Sequence, residues 1–319
     1  MLRLGYKLSS EEHGPSDLIR YARRAEEVGF SFAAISDHIH PWIDRQGHSP
    51  FVWGVIGAIA QATERLEIVT GVTCPTIRMH PVIAAHATAT AACLLPGRFA
   101  FGVGSGEHLN EHVTGAKWPP AQVRLDMLEE AIDLIRELWR GKLTSHRGRH
   151  FTVENARLYD VPDQPPPIFV AASGARSLAI AGRAGDGFIG LAPDAEQVKK
   201  FHDEGGEGKP ALAEVNVCYA PTEEEARRIV KEWWPVAGLS GGQLMQELAL
   251  PAHFEAACEP VSAEAAAETV ACGNDPERHL EEIRKFADAG YTHIWIHQIG
   301  PDQKGFFDFY EAQVLPKLS

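Results

Sequence analysis

Two short stretches carry the residue types that do chemistry. "FGVGSGEHLNEHVTG", residues 101–115, places Glu107, His108, Asn110 and His112 directly after three alternating glycines. "SDHIHPW" places Asp37, His38, His40 and Trp42 within seven positions. Such residues can cradle a phosphate, bind a metal, or set a carboxylate and an imidazole beside a cofactor. A glycine-rich tight turn without a ligand is the plainer alternative.

The spacings narrow these options. Gly104–x–Gly106 lacks the third glycine of a dinucleotide fingerprint and does not follow the first strand, so a Rossmann site is excluded. His38 and His40 would share a face if extended, and His108 and His112 a face if helical. A barrel metallohydrolase, however, wants its H-x-H on the first strand and an aspartate ending the eighth. Here those places hold Tyr6–Lys7 and His297, so no metal site is assigned. Asp37 could also simply cap a turn.

The elements that must position these residues follow from the apolar pattern. Short continuous apolar runs alternate with 3.6-residue periods: "RLGYKL", "FAAISDH", "LEIVTGV", "FAFGVGSG", "IFVAAS", "DGFIGL", "AEVNVCYA" and "THIWIHQI", with helices between them. Eight such units predict a single α/β domain over residues 1–319, a closed (β/α)8 TIM barrel. "LTSHRGRHFTVENARLYDVP" reads as a hairpin after helix 4, and about 235–273 as a helical insertion before strand 8. In a barrel the strand ends converge on one mouth, which gathers Glu11, Asp37, His38, Trp42, Thr76, Glu107, Asn110, Ser173 and Gly174.

Composition sets further bounds. The formal charge of −13 argues against nucleic acid or an anionic membrane as partner. No apolar run approaches a bilayer span. Five scattered cysteines and an N-terminus without signal-peptide layout lead to the expectation of a cytoplasmic protein.

Taken together, "GYKLSSEE", "SDHIHPW", "TCPTIRMHP", "LLPGRFAFGVGSGEHLNEHVTG", "LYDVP", "AGRAGDGFI" and the "NDPERHLEEI…AGYTHIWIHQIGPDQKGFFDFY" ending resemble the luciferase-like superfamily. More narrowly, they resemble its coenzyme F420-dependent glucose-6-phosphate dehydrogenase branch. The resemblance implies a deazaflavin in the barrel mouth. It assigns the cofactor to Asp37, Ser105, Gly106, Asn110, Ser173, Gly174, Arg176 and Ser177, with a cis Gly71–Val72 peptide under the ring. Cys74 replaces a cofactor-contacting threonine beside the retained Thr76. His38, Trp42, Glu11 and Glu107 match the catalytic group: His38 a base, Glu107 an acid, Trp42 a substrate wall.

The substrate side departs from the branch. Asp194 stands where a phosphate-binding lysine is expected, and residues 232–277 contain no Lys or Arg. A phosphate dianion there would lack a partner, which leads to the expectation of a small non-phosphorylated alcohol or carbonyl substrate. The alternatives are an FMN-dependent monooxygenase on the same fold, a metal-dependent hydrolase, and a non-catalytic cofactor carrier. The expected partner is a second copy of the chain.

Overall fold

The computed structural model describes residues 2–239 and 242–318. The barrel strands are β1 (Arg3–Leu8), β2 (Phe32–Ile35), β3 (Glu67–Thr70), β4 (Phe99–Val103), β7 (Ile168–Ala171), β8 (Gly187–Gly190), β9 (Ala211–Cys218) and β11 (His293–Gln298). Each pairs in parallel with its successor, and β11 pairs with β1, so the eight-stranded barrel closes. The expected hairpin is the antiparallel pair β5 (Thr144–Arg147) and β6 (Thr152–Ala156). A two-residue β10 (Ala271–Cys272) pairs in parallel with the end of β9.

The helices form where periodicity and end signals agree. In α1 (Pro15–Val28), Leu18, Ala22, Ala25 and Val28 make one buried face, Pro15 opens the first turn, and Gly29 closes it at φ 104°. Next come α2 (Val52–Ala62), α3 (Pro81–Leu94), the single turn α4 (His108–Glu111), α5 (Ala121–Leu138), α6 (Ala175–Ala184), α7 (Ala195–Phe201) and α8 (Glu223–Trp233). The insertion holds α9 (Gly242–Glu247), α10 (Pro251–Cys258) and α11 (Ala263–Ala266); α12 (Pro276–Asp288) and α13 (Gln303–Phe309) complete the chain. The sequence reading has no counterpart for α12. Its start signal is nonetheless present, since Asp275 accepts from the Glu277 N–H and Pro276 opens the helix.

Phe32, Ala34, Val69, Ile189, Leu212 and Trp295 pack together as an apolar core separate from the main one between sheet and helices. The insertion has its own core, in which Phe254, Trp234, Val236 and Cys258 meet Ile43, Leu109 and Ile299. That places the insertion against the loops after β2, β4 and β11.

Candidate active site

The ends of β1 and β2 bring Glu11 and His38 together. His38 Nδ1 lies 3.2 Å from the His40 carbonyl, and its Nε2 lies 3.5 Å from Glu11 Oε1. A carbonyl oxygen only accepts, so it fixes a hydrogen on Nδ1 and leaves the neutral ring's lone pair on Nε2. Glu11 Oε2 accepts from the Ser36 hydroxyl at 2.5 Å and the Ser9 hydroxyl at 3.2 Å. Burial would raise this carboxyl, but His38, Lys7 and the Ser36 hydroxyl outweigh it and hold it at about 2. Trp42 meets the His38 ring edge-on at 5.1 Å and the buried Phe254 ring at 5.2 Å.

Asn110 ties the second and fourth strand ends together. Its side-chain oxygen accepts from the backbone N–H of Ile39 (3.0 Å) and His40 (3.3 Å), and its Nδ2 donates to Glu107 at 3.4 Å. Its role in the structure is therefore to hold the loop after β2 and Glu107 in one frame. Asp37 is similarly engaged: it accepts from the Thr73 hydroxyl at 2.8 Å and from Arg78 at 2.9 Å, linking the β2 and β3 loops.

Arg78 and Glu111 are members of this cluster that the sequence reading missed. Glu111 accepts from the Arg78 backbone N–H at 2.6 Å, and its other oxygen is 3.7 Å from Arg78 Nε. Burial pushes Glu111 up to about 7, with Glu107 and Asp37 adding to the rise against Arg78. Its spacing of four from Glu107 was the available signal.

The alternating glycines have a packing role that the sequence reading did not see. A Cβ at Gly102 would strike the Thr70 carbonyl, one at Gly104 would come within 2.8 Å of Val72 Cγ2, and one at Gly106 within 2.7 Å of Cys74 Sγ. The motif interlocks the ends of β3 and β4, and Gly106 also turns the chain at φ 84°. On the facing segment the Gly71–Val72 peptide is cis, and the Cys74 thiol lies 3.0 Å from the Thr76 hydroxyl. Ser105 is half-buried beside Gly106.

At the α6 N-terminus, the Ser177 hydroxyl accepts from the N–H groups of Ser173 (3.3 Å) and Gly174 (3.1 Å). Ser173 and Gly174 are exposed, and a Cβ at Gly174 would meet only Ser177 Oγ, at 3.9 Å. Arg176 does not reach into the mouth unengaged; its guanidinium holds Asp126 and Gln122 of α5.

Beneath the mouth lies a second missed group. Lys7 pairs with Glu214 at 3.0 Å, Glu214 accepts from Trp295 Nε1 at 2.7 Å, and His297 Nε2 lies 2.7 Å from Glu12. Among the described residues, no cluster of three or more His, Cys, Asp or Glu side chains is arranged to hold a metal.

Four cations of the barrel and its loops have partners. Arg78 holds Asp37, Lys7 holds Glu214, Arg176 holds Asp126, and Arg124 holds Gln246 and Glu247 of the insertion. Asp194 caps α7 by accepting from the Glu196 and Gln197 N–H groups.

The model of the luciferase-like monooxygenase family matches residues 2–293. An F420-dependent glucose-6-phosphate dehydrogenase of Microbacterium testaceum is 36% identical over 99% of this chain and 97% of that protein. A solved F420-dependent secondary alcohol dehydrogenase, in complex with an F420-acetone adduct, superposes with a TM-score of 0.91 at 29% identity, covering 98% of each chain. The oxygenating constituent of 3,6-diketocamphane monooxygenase from Pseudomonas putida, solved with FMN, shares the fold (TM-score 0.73, 18% identity, covering 99% and 98%). This chain belongs to the luciferase-like monooxygenase family, among the relatives of the F420-dependent glucose-6-phosphate dehydrogenases.

Proposed function

We propose that this protein moves a hydride between F420 and a small, non-phosphorylated alcohol or carbonyl compound. The observation that carries the reading is the pair His38–Glu11: one imidazole nitrogen pinned by a carbonyl, the other beside a carboxylate kept ionised. The F420-dependent relatives support the cofactor, and the residues fit it. The α6 N-terminus is open at Ser173 and Gly174 and suits the anionic tail. Thr76, Ser105 and the Gly71–Val72 segment would hold the ring. Bound there, the deazaflavin supplies a ring carbon that accepts or returns a hydride.

The chain's own residues do the rest. His38 Nε2 takes the hydroxyl proton as the carbon–hydrogen bond of an alcohol breaks, and Glu11 stabilises the resulting imidazolium. Glu107, oriented by Asn110, is the proposed second proton-exchanging group of the site. Trp42, backed by Phe254, walls the substrate and excludes water.

A neutral substrate is supported by the engagement of Arg78 and Arg176 with carboxylates and by the acidic, Lys- and Arg-free insertion. The secondary alcohol dehydrogenase neighbour points the same way. Anaerobic mixing of the protein and F420 with a panel of secondary alcohols tests the reading; reduction of FMN in place of F420 would overturn it.

A second copy of the chain is the proposed partner. Helices α2 and α3 contain no Asp, Glu, Lys or Arg, and Phe51 at the α2 N-cap and Ile83 and Leu94 of α3 are 65%, 55% and 41% exposed. An apolar face of that kind is commonly covered by association. Among the described residues no helix is long and apolar enough to cross a membrane, and a cytoplasmic location is proposed from the free cysteines.

A further inference from the structure

Barrel interiors of this type are filled mostly by branched apolar side chains, yet Lys7 is buried here. Its Nζ lies 3.0 Å from Glu214 Oε2 of β9 and donates to the Gly71 carbonyl at 3.2 Å. Glu214 is further held by Trp295 Nε1 and lies 3.8 Å from His297 Nδ1. Exchanging a buried ion pair for apolar packing is often neutral or stabilising, so stability alone is a weak reason for a buried pair. Burial would lower the Lys7 ammonium, but Glu214 and Glu11 outweigh it and leave it raised.

We propose that Lys7 is a positioning residue for the hydride acceptor. It fixes the Gly71 carbonyl and keeps a permanent positive charge beneath the backbone that would carry the ring, favouring the reduced ring over the oxidised one. The inference rests on the F420 reading above. A ring that gains a hydride gains one negative charge, and a nearby buried cation lowers the free energy of the more negative form.

The test compares binding of oxidised and of reduced F420, each titrated anaerobically and followed by its own absorption and fluorescence. The proteins are the wild type, Lys7→Met, Lys7→Arg and the double variant Lys7→Met/Glu214→Gln, which leaves no unpaired buried carboxylate and serves if the single variant does not fold. The expected result is that Kd for the reduced form rises at least tenfold more than Kd for the oxidised form in Lys7→Met, by a smaller margin in the double variant, where both charges of the pair leave together, and far less in Lys7→Arg. A tenfold change in that ratio lowers the potential of a bound two-electron couple by about 30 mV. Equal changes in both constants, or none, in folded variants overturn the role of Lys7. A wild type that binds neither form overturns the F420 reading itself, and the Lys7 role with it.

Discussion

His38 Nε2 stands 3.5 Å from Glu11 Oε1, and Ser36 and Ser9 hold the far oxygen of that carboxylate. In the proposed mechanism Glu11 stabilises positive charge on the imidazole. Glu11→Gln should lower kcat, because the imidazolium formed as the hydroxyl proton leaves loses its counter-charge. An unchanged kcat, measured with F420 saturating, would show that the two side chains are not coupled.

Glu11 and Glu111 should act on stability in opposite directions with pH. The folded Glu11 carboxyl is lowered from 4.5 to about 2, so its contribution is present above pH 4.5 and is lost as pH falls toward 2. Two and a half units at 1.36 kcal/mol each put it on the order of 3 kcal/mol. Glu111 is raised to about 7, so its ionisation disfavours the fold as pH climbs from 4.5 through 7. Glu111→Gln keeps an acceptor for the Arg78 N–H and should therefore gain in relative stability at pH 8 over pH 5. Urea unfolding of wild type and variant at both values checks this; an identical difference at the two would contradict it.

Gly106→Ala should destabilise, because the new Cβ meets Cys74 Sγ and Glu111 Cγ in a left-handed backbone. The conformation alone costs about 1–2 kcal/mol. Adding Cys74→Ala removes the nearest contact and should recover part of the loss. Denaturation midpoints of the single and double variants decide; no recovery would mean that strain in the turn dominates.

Ile83→Asp places a charge on the apolar face shared by α2 and α3. Light scattering after gel filtration should find a dimer for the wild type and a monomer for the variant. A wild-type monomer would remove the proposed partner.

Much of this was legible in the sequence because strand runs and helical periods alternate cleanly and barrel topology then assigns the mouth. Glu11, His38, Trp42, Glu107 and Asn110 do converge, through contacts that no local pattern could supply. Lys7 and Glu214 were missed because single charges inside apolar strands give no periodic signal, Glu12 because it sits in the turn after β1, and their partners are more than 200 residues away. The glycine alternation was read for a ligand, whereas its spacing answers Thr70, Val72 and Cys74 on the neighbouring strand end. Asp37 and Arg176 show a related limit: residue type gave their place at the rim, but not that Thr73, Arg78 and Asp126 already engage them.

The most direct measurement is the anaerobic loss of the oxidised deazaflavin's visible absorption when enzyme and F420 meet either a small secondary alcohol or glucose 6-phosphate. Turnover is expected with the alcohol, none above background with the sugar phosphate, and a loss of about 10²–10⁴-fold in His38→Ala with F420 still bound. Reduction by glucose 6-phosphate at the alcohol's rate or faster, or undiminished turnover in His38→Ala, would contradict the proposed function.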